Sequence, residues 1–385
     1  MPLESLRDSG HDAAIYVKGK TMHYADATLT VHLDAIAANY RLIATRVAPA
    51  EAAAVVKADA YGLGVIPVAE RLVKEGCRLF FVATLDEAVE LRIGLPSATI
   101  AVFHGVRFGQ EQVFLEHHLI PVLNTLEQIS RWSVMAVGAP SALPAMMHID
   151  TGMNRLGLSI SEAEALVRTP EKLRGLDVQA VMSHLACSSD RESLMNHEQL
   201  KFFNQLRTII TGTKYSLANS GGCLADACYH FDMVRPGCAL YGINPYYSGE
   251  SPLAPAVTLR AKILQIRTVD RAGSVGYGAS YAVQKGGRLA VLPVGYADGY
   301  LRSLSGNGAW ARVAGVKVPV AGRVSMDMVV LDISDVPEGK LTAASEAELL
   351  GVNSMSVDEA ATRAGTIGYE ILTRLGKRFK RVYAA

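Results

Sequence analysis

The chain lacks the features that mark several large classes of protein. It has only five cysteines, an odd number whose spacing fits no metal motif, so we expect reduced thiols in a cytoplasmic protein and no metal site. No apolar run approaches the roughly 20 residues of a membrane span, and the opening segment MPLESLRDSGHDAAIYVKGK has no apolar signal core. Basic and acidic residues nearly balance, 38 against 37, which gives no basic footprint for nucleic acid.

What the chain does contain is an alternation of apolar, strand-like runs and helical stretches such as LDEAVELRIG. Eight strand candidates with helices between them predict a (β/α)8 TIM-type barrel. An open, doubly wound sheet would show the same spacings and is the alternative. The strand candidates are residues 53–60, 79–84, 99–105, 119–125, 145–152, 178–186, 215–222 and 233–242.

The character of the sequence changes near Ala256, after which β-branched residues and glycine-containing turns predict a mostly-β domain. We therefore divide the chain into an N-terminal extension (1–26), a barrel (27–255) and a C-terminal β domain (256–385). At the start of the barrel, TLTVHL is predicted to form a strand, followed by a helix that Asp34 would cap.

Lys57 follows the apolar run AAVV directly, although a lysine without a partner prefers water. In barrel enzymes the C-terminal strand ends carry the chemistry. A lysine there can form a Schiff base with an aldehyde, and pyridoxal phosphate (PLP) is the common aldehyde cofactor. Such a site also needs phosphate donors, a partner for the ring nitrogen, and acid/base groups on both faces of the substrate Cα.

Nine motifs, in family order, resemble the PLP-dependent alanine racemases. They are KADAYG, DTGMNRLG, a strand ending in SH, NS, RPGCALYG, VGYG, GYADG, SMD and GYE. The resemblance covers nearly the whole chain. It implies a cytoplasmic enzyme that interconverts L-alanine and D-alanine and supplies D-alanine for peptidoglycan. Breakdown of alanine would use the same chemistry and remains open.

By this resemblance two bases act on opposite faces of the substrate. Lys57 would bind PLP and serve the face of the D-substrate, and Tyr277 would serve the face of the L-substrate. Nearby positive charge would lower the pKa of the phenol, and the resemblance implies that His184 links Tyr277 to Arg235. Arg235 would donate to the pyridine nitrogen without protonating it, because a guanidinium keeps its proton at neutral pH.

The resemblance also implies the residues that bind cofactor and substrate. The phosphate ligands would be Tyr61, Ser220, the backbone amides of Gly237 and Cys238, and Tyr369, with Asn219 beside them. Arg155 would contact the phenolic oxygen of PLP and the substrate carboxylate. Met326 and Asp327 resemble a segment that the partner subunit contributes, and Tyr296 resembles an entrance residue. A head-to-tail homodimer with shared active sites follows.

Three positions depart from the family pattern, and two of them, Leu63 (usually histidine) and Ser325 (often cysteine), remove no essential role. His148 stands where many members have a lysine, often carbamylated, whose negative group orients the arginine that matches Arg155. Three alternatives stay open: a bound anion such as chloride, His148 accepting a hydrogen bond as a neutral ring, and an ordinary packed histidine.

Three other functions compete with the racemase. A PLP-dependent decarboxylase of the same fold would typically set an acidic residue against the ring nitrogen, which Arg235 argues against. A racemase of broader specificity tends to be exported, and the opening segment shows no apolar signal core that would favour this reading. A non-catalytic PLP carrier resembles the barrel alone, and it would leave Tyr277 and the β domain without a purpose.

Overall fold

The computed structural model of the chain describes residues 15–17, 20–22, 25–247, 249–342 and 344–385. Most of the predicted extension, 1–26, lies outside these ranges. Its described part includes two short antiparallel strands, β1 (Ile15–Val17) and β2 (Lys20–Met22). Within the described ranges, no helix has the length and apolar character needed to span a membrane.

The described residues form two compact units. The barrel unit comprises His32–Ala256 and Ile367–Thr373, and the β unit comprises the described residues up to Val31 together with Val257–Thr366 and Arg374–Ala384. The described part of the predicted extension groups with the β unit, and two short segments of the predicted domains change units. Strand β3 (Ala27–His32) lies almost wholly in the β unit, and Ile367–Thr373 groups with the barrel.

Parallel strands form a closed ring in the barrel unit. The strands are β4 (Glu51–Ala52), β5 (Ala54–Val55), β6 (Leu79–Val82), β7 (Thr99–Val102), β8 (Ile120–Leu123), β9 (Leu143–His148), β10 (Leu176–Met182), β11 (Lys214–Ser216) and β12 (Met233–Val234). Strands β5 to β11 pair in chain order, and β12 pairs with β4. The Asp232 N–H donates to Tyr215 O (3.1 Å) and the Glu51 N–H donates to Asp232 O (2.9 Å). Strands β4 and β5 are separated by one residue and count as one strand of the ring. The bonds of Asp232 close this eight-stranded ring, so the predicted (β/α)8 barrel is confirmed and an open sheet is excluded.

Helices follow most of the barrel strands. The segment LDEAVELRIG forms α4 (Leu85–Gly94), as predicted. The predicted cap of α1 (Leu33–Val47) is wrong, because His32 occupies the N-cap position and Asp34 lies in the first turn, where it pairs with Arg71 (2.9 Å). The other helices of the barrel unit up to residue 256 are α2 (Lys57–Gly62), α3 (Val65–Lys74), α5 (Glu111–Glu116), α6 (Leu126–Val137), α7 (Ile160–Arg168), α8 (Leu194–Ile209) and α9 (Ser220–Leu224).

The β unit is mostly strand, as predicted. Its further strands are β13 (Val257–Lys262), β14 (Gln265–Thr268), β15 (Gly273–Val275), β16 (Tyr281–Val283), β17 (Arg288–Leu292), β18 (Trp310–Val313), β19 (Val316–Pro319), β20 (Val329–Asp332), β21 (Glu346–Leu350) and β22 (Lys380–Ala384). The largest sheet has the order β19-β18-β21-β13-β3-β22. Strand β3 therefore pairs with a strand more than 200 residues away in sequence. The last two helices are α10 (Val357–Ala364) and α11 (Gly368–Arg374).

The barrel strands are apolar, and polar residues follow them at the strand ends. Every residue of β6 and β8 is buried, as expected for parallel strands covered on both faces. The chain becomes polar where these strands stop, and the residues at the carboxyl ends meet on one side of the ring.

Candidate active site

A cavity of about 420 Å³ opens at the carboxyl ends of the barrel strands. The structure brings together there every residue that the sequence identified as a cofactor ligand, and all of them belong to the barrel unit. These residues are Lys57, Tyr61, Arg155, His184, Asn219, Ser220, Arg235, Gly237, Cys238 and Tyr369.

The backbone after Lys57 adopts a conformation that is rare for residues with a side chain. The residues of Ala58–Tyr61 have φ values between 51° and 59°. Segment α2 is therefore a left-handed turn, and the strand predicted over 53–60 ends earlier, at Val55. Each non-glycine residue in this region costs about 1–2 kcal/mol. A hydrogen bond from the Ala60 N–H to Val56 O (2.9 Å) closes the turn.

Lys57 is half-buried at the wall of the cavity. Burial lowers the pKa of Lys57, the positive charge of Arg155 lowers it further, and the carboxylate of Glu87 raises it. A depressed pKa increases the fraction of neutral amine near pH 7. The neutral amine is the form that attacks a carbonyl carbon or accepts a proton.

Arg235 is a buried cation, and one of its N–H donors lacks a partner among the described residues. Burial lowers its pKa to about 10, so the guanidinium stays charged at neutral pH. Nη1 donates to Ser216 O (2.9 Å) and to Ser216 Oγ, and Nη2 donates to Ser183 O. Within the part of the chain that the structure describes, the Nε–H has no hydrogen-bond partner. A buried unpaired donor is costly, so this position suits a ligand atom with a free lone pair.

His184 is neutral in this environment. Burial lowers the pKa of His184 well below its ordinary value, and the charges of Arg235 and Arg155 act in the same direction. Asn219 Oδ1 accepts from the Gly222 N–H (3.2 Å) at the start of α9, and Asn219 Nδ2 lies 3.4 Å from His184 Nε2. Asn219 therefore caps the helix and contacts the histidine ring.

Hydroxyl groups line the corner of the cavity around Ser220. Ser220 Oγ accepts from the N–H groups of Gly237 (2.9 Å) and Ala239 (3.2 Å), which leaves its own proton to donate. A Cβ at Gly237 would lie 2.4 Å from Tyr61 Oη, so a side chain there would displace that hydroxyl. Burial raises the pKa of Tyr61 and of Tyr369, and both phenols keep their protons. Such donors suit a phosphate group.

The tautomer of His148 follows from its partner. Asn124 Nδ2 donates to Phe103 O (2.9 Å) and Val122 O (2.8 Å), so Asn124 Oδ1 accepts from His148 Nδ1 (2.8 Å). The other ring nitrogen, Nε2, is then unprotonated. Burial lowers the pKa of His148 to about 4, and the charge of Arg235 acts the same way. At neutral pH the ring is uncharged and offers one lone pair.

Arg155 lies on a tightly folded loop after β9. Asp150 Oδ1 accepts from the N–H groups of Gly152 and Met153, each at 2.8 Å. A Cβ at Gly157 would lie 2.8 Å from Asp150 N, so the loop returns too closely for a side chain at that point. The loop holds the exposed Arg155 at the wall of the cavity.

The remaining predicted residues belong to the β unit. Tyr277 begins a short 3-10 turn, and 71% of its surface is exposed. Backbone hydrogen bonds join the segment of Tyr296 to that of Met326, and both side chains are exposed. Arg378 Nη1 donates to Asp327 Oδ1 (2.7 Å), an ion pair that the sequence did not predict.

Three residues that support the site were not identified from the sequence. Ser183 and Ser216 hold the guanidinium of Arg235, and their identities carry no signal in the local pattern. The carboxylate of Glu87 accepts from the Ala58 N–H (2.7 Å). The T-x-x-E spacing before α4 is typical of a capping box, but nothing in it indicates a bond to the turn after Lys57.

Fold and cavity together define a class of enzyme: a (β/α)8 barrel joined to a β domain, with a half-buried lysine and a corner of hydroxyl donors in one pocket. Comparison with known proteins gives the family. The alanine racemase N-terminal domain matches residues 31–245, and the alanine racemase C-terminal domain matches residues 256–383. The chain belongs to the alanine racemase family.

Individual relatives agree over almost the whole chain. The alanine racemase of Rhizobium meliloti (strain 1021) is 43% identical over 369 residues, which are 93% of this chain and 97% of the relative. The catabolic alanine racemase of Agrobacterium fabrum is 44% identical, over 93% of this chain and 92% of the relative. The crystal structure of alanine racemase from Bartonella henselae with covalently bound pyridoxal phosphate has a TM-score of 0.87 at 38% identity, covering 93% of this chain and 99% of that one.

Proposed function

We propose that this protein is an alanine racemase that interconverts L-alanine and D-alanine with PLP bound to Lys57. The observation that carries the proposal is the presence, in one cavity, of the half-buried Lys57 and an unpaired buried donor on Arg235. The names of the relatives and the covalently bound PLP of the Bartonella henselae structure support it.

The cavity fits PLP group by group. Lys57 would form the covalent link, and Arg235 Nε–H would donate to the ring nitrogen. The phosphate would be held by Ser220, Tyr61, Tyr369 and the Cys238 amide. The Gly237 amide, predicted to be a ligand too, already donates to Ser220 Oγ and would orient that hydroxyl. When bound, PLP supplies an electron sink that stabilises negative charge at the substrate Cα.

Arg235 would keep the ring nitrogen as a hydrogen-bond acceptor. With a pKa of about 10 the guanidinium donates but does not hand over its proton at neutral pH. A ring nitrogen that stays unprotonated would make PLP a weaker electron sink. The residues on the two faces of Cα would then have to return a proton promptly, which would favour racemisation over side reactions.

Two bases would act on the two faces of Cα. The neutral amine of Lys57 would accept the α-proton of D-alanine and return a proton to the same face. Tyr277 of the partner subunit would serve the opposite face, in a head-to-tail homodimer. His184 would link Tyr277 to the positive charge of Arg235, which lowers the cost of the phenolate.

Arg155 would bind the substrate carboxylate as a guanidinium fork. The neutral His148, with Nε2 free to accept, supports the second of the three alternatives for orienting Arg155. Tyr296, Met326 and Asp327 of the partner subunit would close the entrance. A small pocket of this kind favours alanine over larger amino acids.

The test uses purified protein with PLP and L-alanine in heavy water, with D-alanine followed by chiral chromatography and deuterium at Cα by mass spectrometry. We expect D-alanine that carries deuterium. Deuterium in L-alanine without inversion would contradict the two-base assignment, because the base on the face of the L-substrate would then act alone and Lys57 would deliver no proton to the opposite face. If neither D-alanine nor deuterium at Cα is found although PLP is bound, the assignment as an alanine racemase is overturned. A panel of other L-amino acids would then separate a racemase of broader specificity from a carrier.

In the cell we propose that the enzyme is cytoplasmic and supplies D-alanine for peptidoglycan. The chemistry is reversible, so the site does not favour either direction, and one relative is named catabolic. Deletion of the gene should make growth depend on added D-alanine. Growth without D-alanine, combined with failure to use alanine as a carbon source, would instead indicate breakdown.

A further inference from the structure

The carboxylate of Glu87 connects two neighbouring parts of the barrel. Its Oε1 accepts from the Ala58 N–H (2.7 Å), and its Oε2 accepts from the N–H groups of Ala83 (2.7 Å) and Thr84 (3.1 Å). Ala58 is the first residue of the left-handed turn, and Ala83 follows β6 directly. A single side chain thus joins the residue after Lys57 to the end of the next strand.

The turn needs such a support because its backbone is strained. A run of non-glycine residues in the left-handed region persists only where the surroundings over-determine it. The Ala60 N–H to Val56 O bond and the Val65 N–H to Asp59 Oδ1 bond (2.6 Å) are local to the turn and α3. Glu87 comes from another element and bonds to the residue beside the lysine.

Glu87 also supplies negative charge near the amine. It is the acidic group that acts on Lys57, and its effect opposes those of burial and of Arg155. A carboxylate at this position therefore has two physical effects on the lysine, one through the backbone and one through its charge.

We propose that Glu87 is a positioning residue for Lys57: by fixing the Ala58 amide to the end of β6, it holds the left-handed turn and directs the lysine side chain into the cavity. The inference rests on the proposed role of Lys57 as the residue that binds PLP. It adds to that role a residue with no direct contact to cofactor or substrate.

The variant Glu87→Gln tests the proposal in the full chain purified without PLP. Its amide nitrogen cannot accept a hydrogen bond, so it cannot hold both anchor points. One readout is hydrogen–deuterium exchange of the peptide that contains residues 57–62. The other is the rate at which added PLP forms an adduct on Lys57, trapped with borohydride and located by peptide mass. We expect exchange to become about ten- to hundredfold faster, the range for a lost hydrogen bond to a charged group, and adduct formation to slow at least about tenfold.

Two matched variants separate positioning from other effects. Thr84→Ala removes the hydroxyl cap of α4 (3.3 Å to the Glu87 N–H) and leaves the carboxylate in place. Asp86→Asn removes an exposed negative charge from the same helical turn. Both should resemble the wild type in both readouts. If Thr84→Ala reproduces the effects of Glu87→Gln, Glu87 acts only as a helix cap and the proposal is overturned.

The outcomes distinguish this inference from the proposed function. If the wild-type protein forms no adduct on Lys57, the cofactor role of Lys57 is refuted, while the exchange data still test whether Glu87 holds the turn. Unchanged exchange and adduct rates in Glu87→Gln would refute only the positioning role of Glu87. If Glu87→Gln does not fold, as judged by circular dichroism, Glu87→Asp keeps the charge but shortens the reach, and faster exchange of residues 57–62 is again expected.

Discussion

At the scale of single residues, burial decides which groups of the cavity carry charge. It lowers the pKa values of Lys57, His148 and His184, which favours their neutral forms. Arg235 is buried as well, but with a pKa of about 10 it remains a cation at neutral pH. The site therefore combines the fixed positive charge of Arg235 with two histidines that are neutral at pH 7 and a lysine whose pKa is lowered.

His148 should make the protein sensitive to acid. Its pKa is about 4 in the folded protein against 6.5 ordinarily. Below pH 6.5 the unfolded chain binds a proton that the folded protein does not, so stability is lost as the pH falls towards 4, by up to about 3 kcal/mol. In His148→Gln this contribution is absent, and urea midpoints should fall less steeply between pH 6.5 and 4.5. Parallel curves for the two proteins would contradict the low pKa.

Tyr277→Phe should separate the two proposed bases. Racemisation should slow by about 10²–10⁴, the usual contribution of a general base, and it should do so in both directions because the equilibrium constant is unchanged. Lys57 would remain, so D-alanine should still exchange its α-proton in heavy water, and faster than L-alanine does. A loss of racemisation below about tenfold would count against the role of Tyr277.

At the scale of elements, two short segments shape the cavity by their backbones. The left-handed turn follows Lys57 directly, and the segment that contains Gly237 lies against Tyr61 Oη. The turn places four residues that carry side chains at φ values between 51° and 59°, whereas Gly237 has no side chain and a Cβ there would lie 2.4 Å from Tyr61 Oη.

Glycine and valine at position 58 should change the stability of the protein in opposite directions. Ala58 is exposed and has φ 53°. Ala58→Gly relieves a strain of about 1–2 kcal/mol and adds less than about 1 kcal/mol of unfolded-state entropy, so it should stabilise slightly. Ala58→Val adds a β-branched side chain to the same conformation and should destabilise by more than about 1 kcal/mol. Urea unfolding at 25 °C provides the measurement, and a less stable glycine variant would contradict the left-handed turn.

Gly237→Ala should weaken cofactor binding. The new Cβ would lie 2.4 Å from Tyr61 Oη and displace that hydroxyl from the Ser220 corner. We expect the dissociation constant for PLP, titrated by absorbance, to rise at least about tenfold, as for the loss of a charged hydrogen bond. Gly138→Ala is the matched control, because a Cβ at Gly138 meets no atom within 4 Å. Equal affinities in the two variants would argue against the phosphate corner.

At the scale of the whole molecule, the proposed active-site residues are divided between the two units. The cavity lies in the barrel unit, while Tyr277, Tyr296, Met326 and Asp327 belong to the β unit. In the proposed head-to-tail homodimer, two equivalent sites would each take Lys57 from one subunit and Tyr277 from the other.

Mixing two inactive variants should restore activity if the sites are shared. Lys57→Ala and Tyr277→Phe, unfolded together and refolded, would form hybrid dimers in which one of the two sites has both bases. Random pairing makes half of the dimers hybrid, so about a quarter of the wild-type activity should return. No recovery, despite hybrid dimers demonstrated by mass spectrometry, would contradict the shared site.

Local sequence patterns and motifs predicted much of the fold and the residues that line the cavity. Helix α4 and the eight barrel strands could be predicted because apolar periodicity is a local property. The strand ends were less accurate: the predicted strands over 53–60 and 215–222 contain the left-handed turn and the start of α9. The catalytic and binding roles stay predictions, since they depend on cofactor, substrate and a second subunit.

The sequence alone determined the order of barrel and β domain, the family, and the set of residues around Lys57, because periodicity and motifs are written in neighbouring residues. Tertiary contacts decided the rest. The place of β3 beside β13, the tautomer of His148, the unpaired Nε of Arg235 and the bond from Glu87 to Ala58 all depend on partners distant in the chain. Burial and hydrogen bonding between such partners set charge and geometry, and no local pattern specifies them.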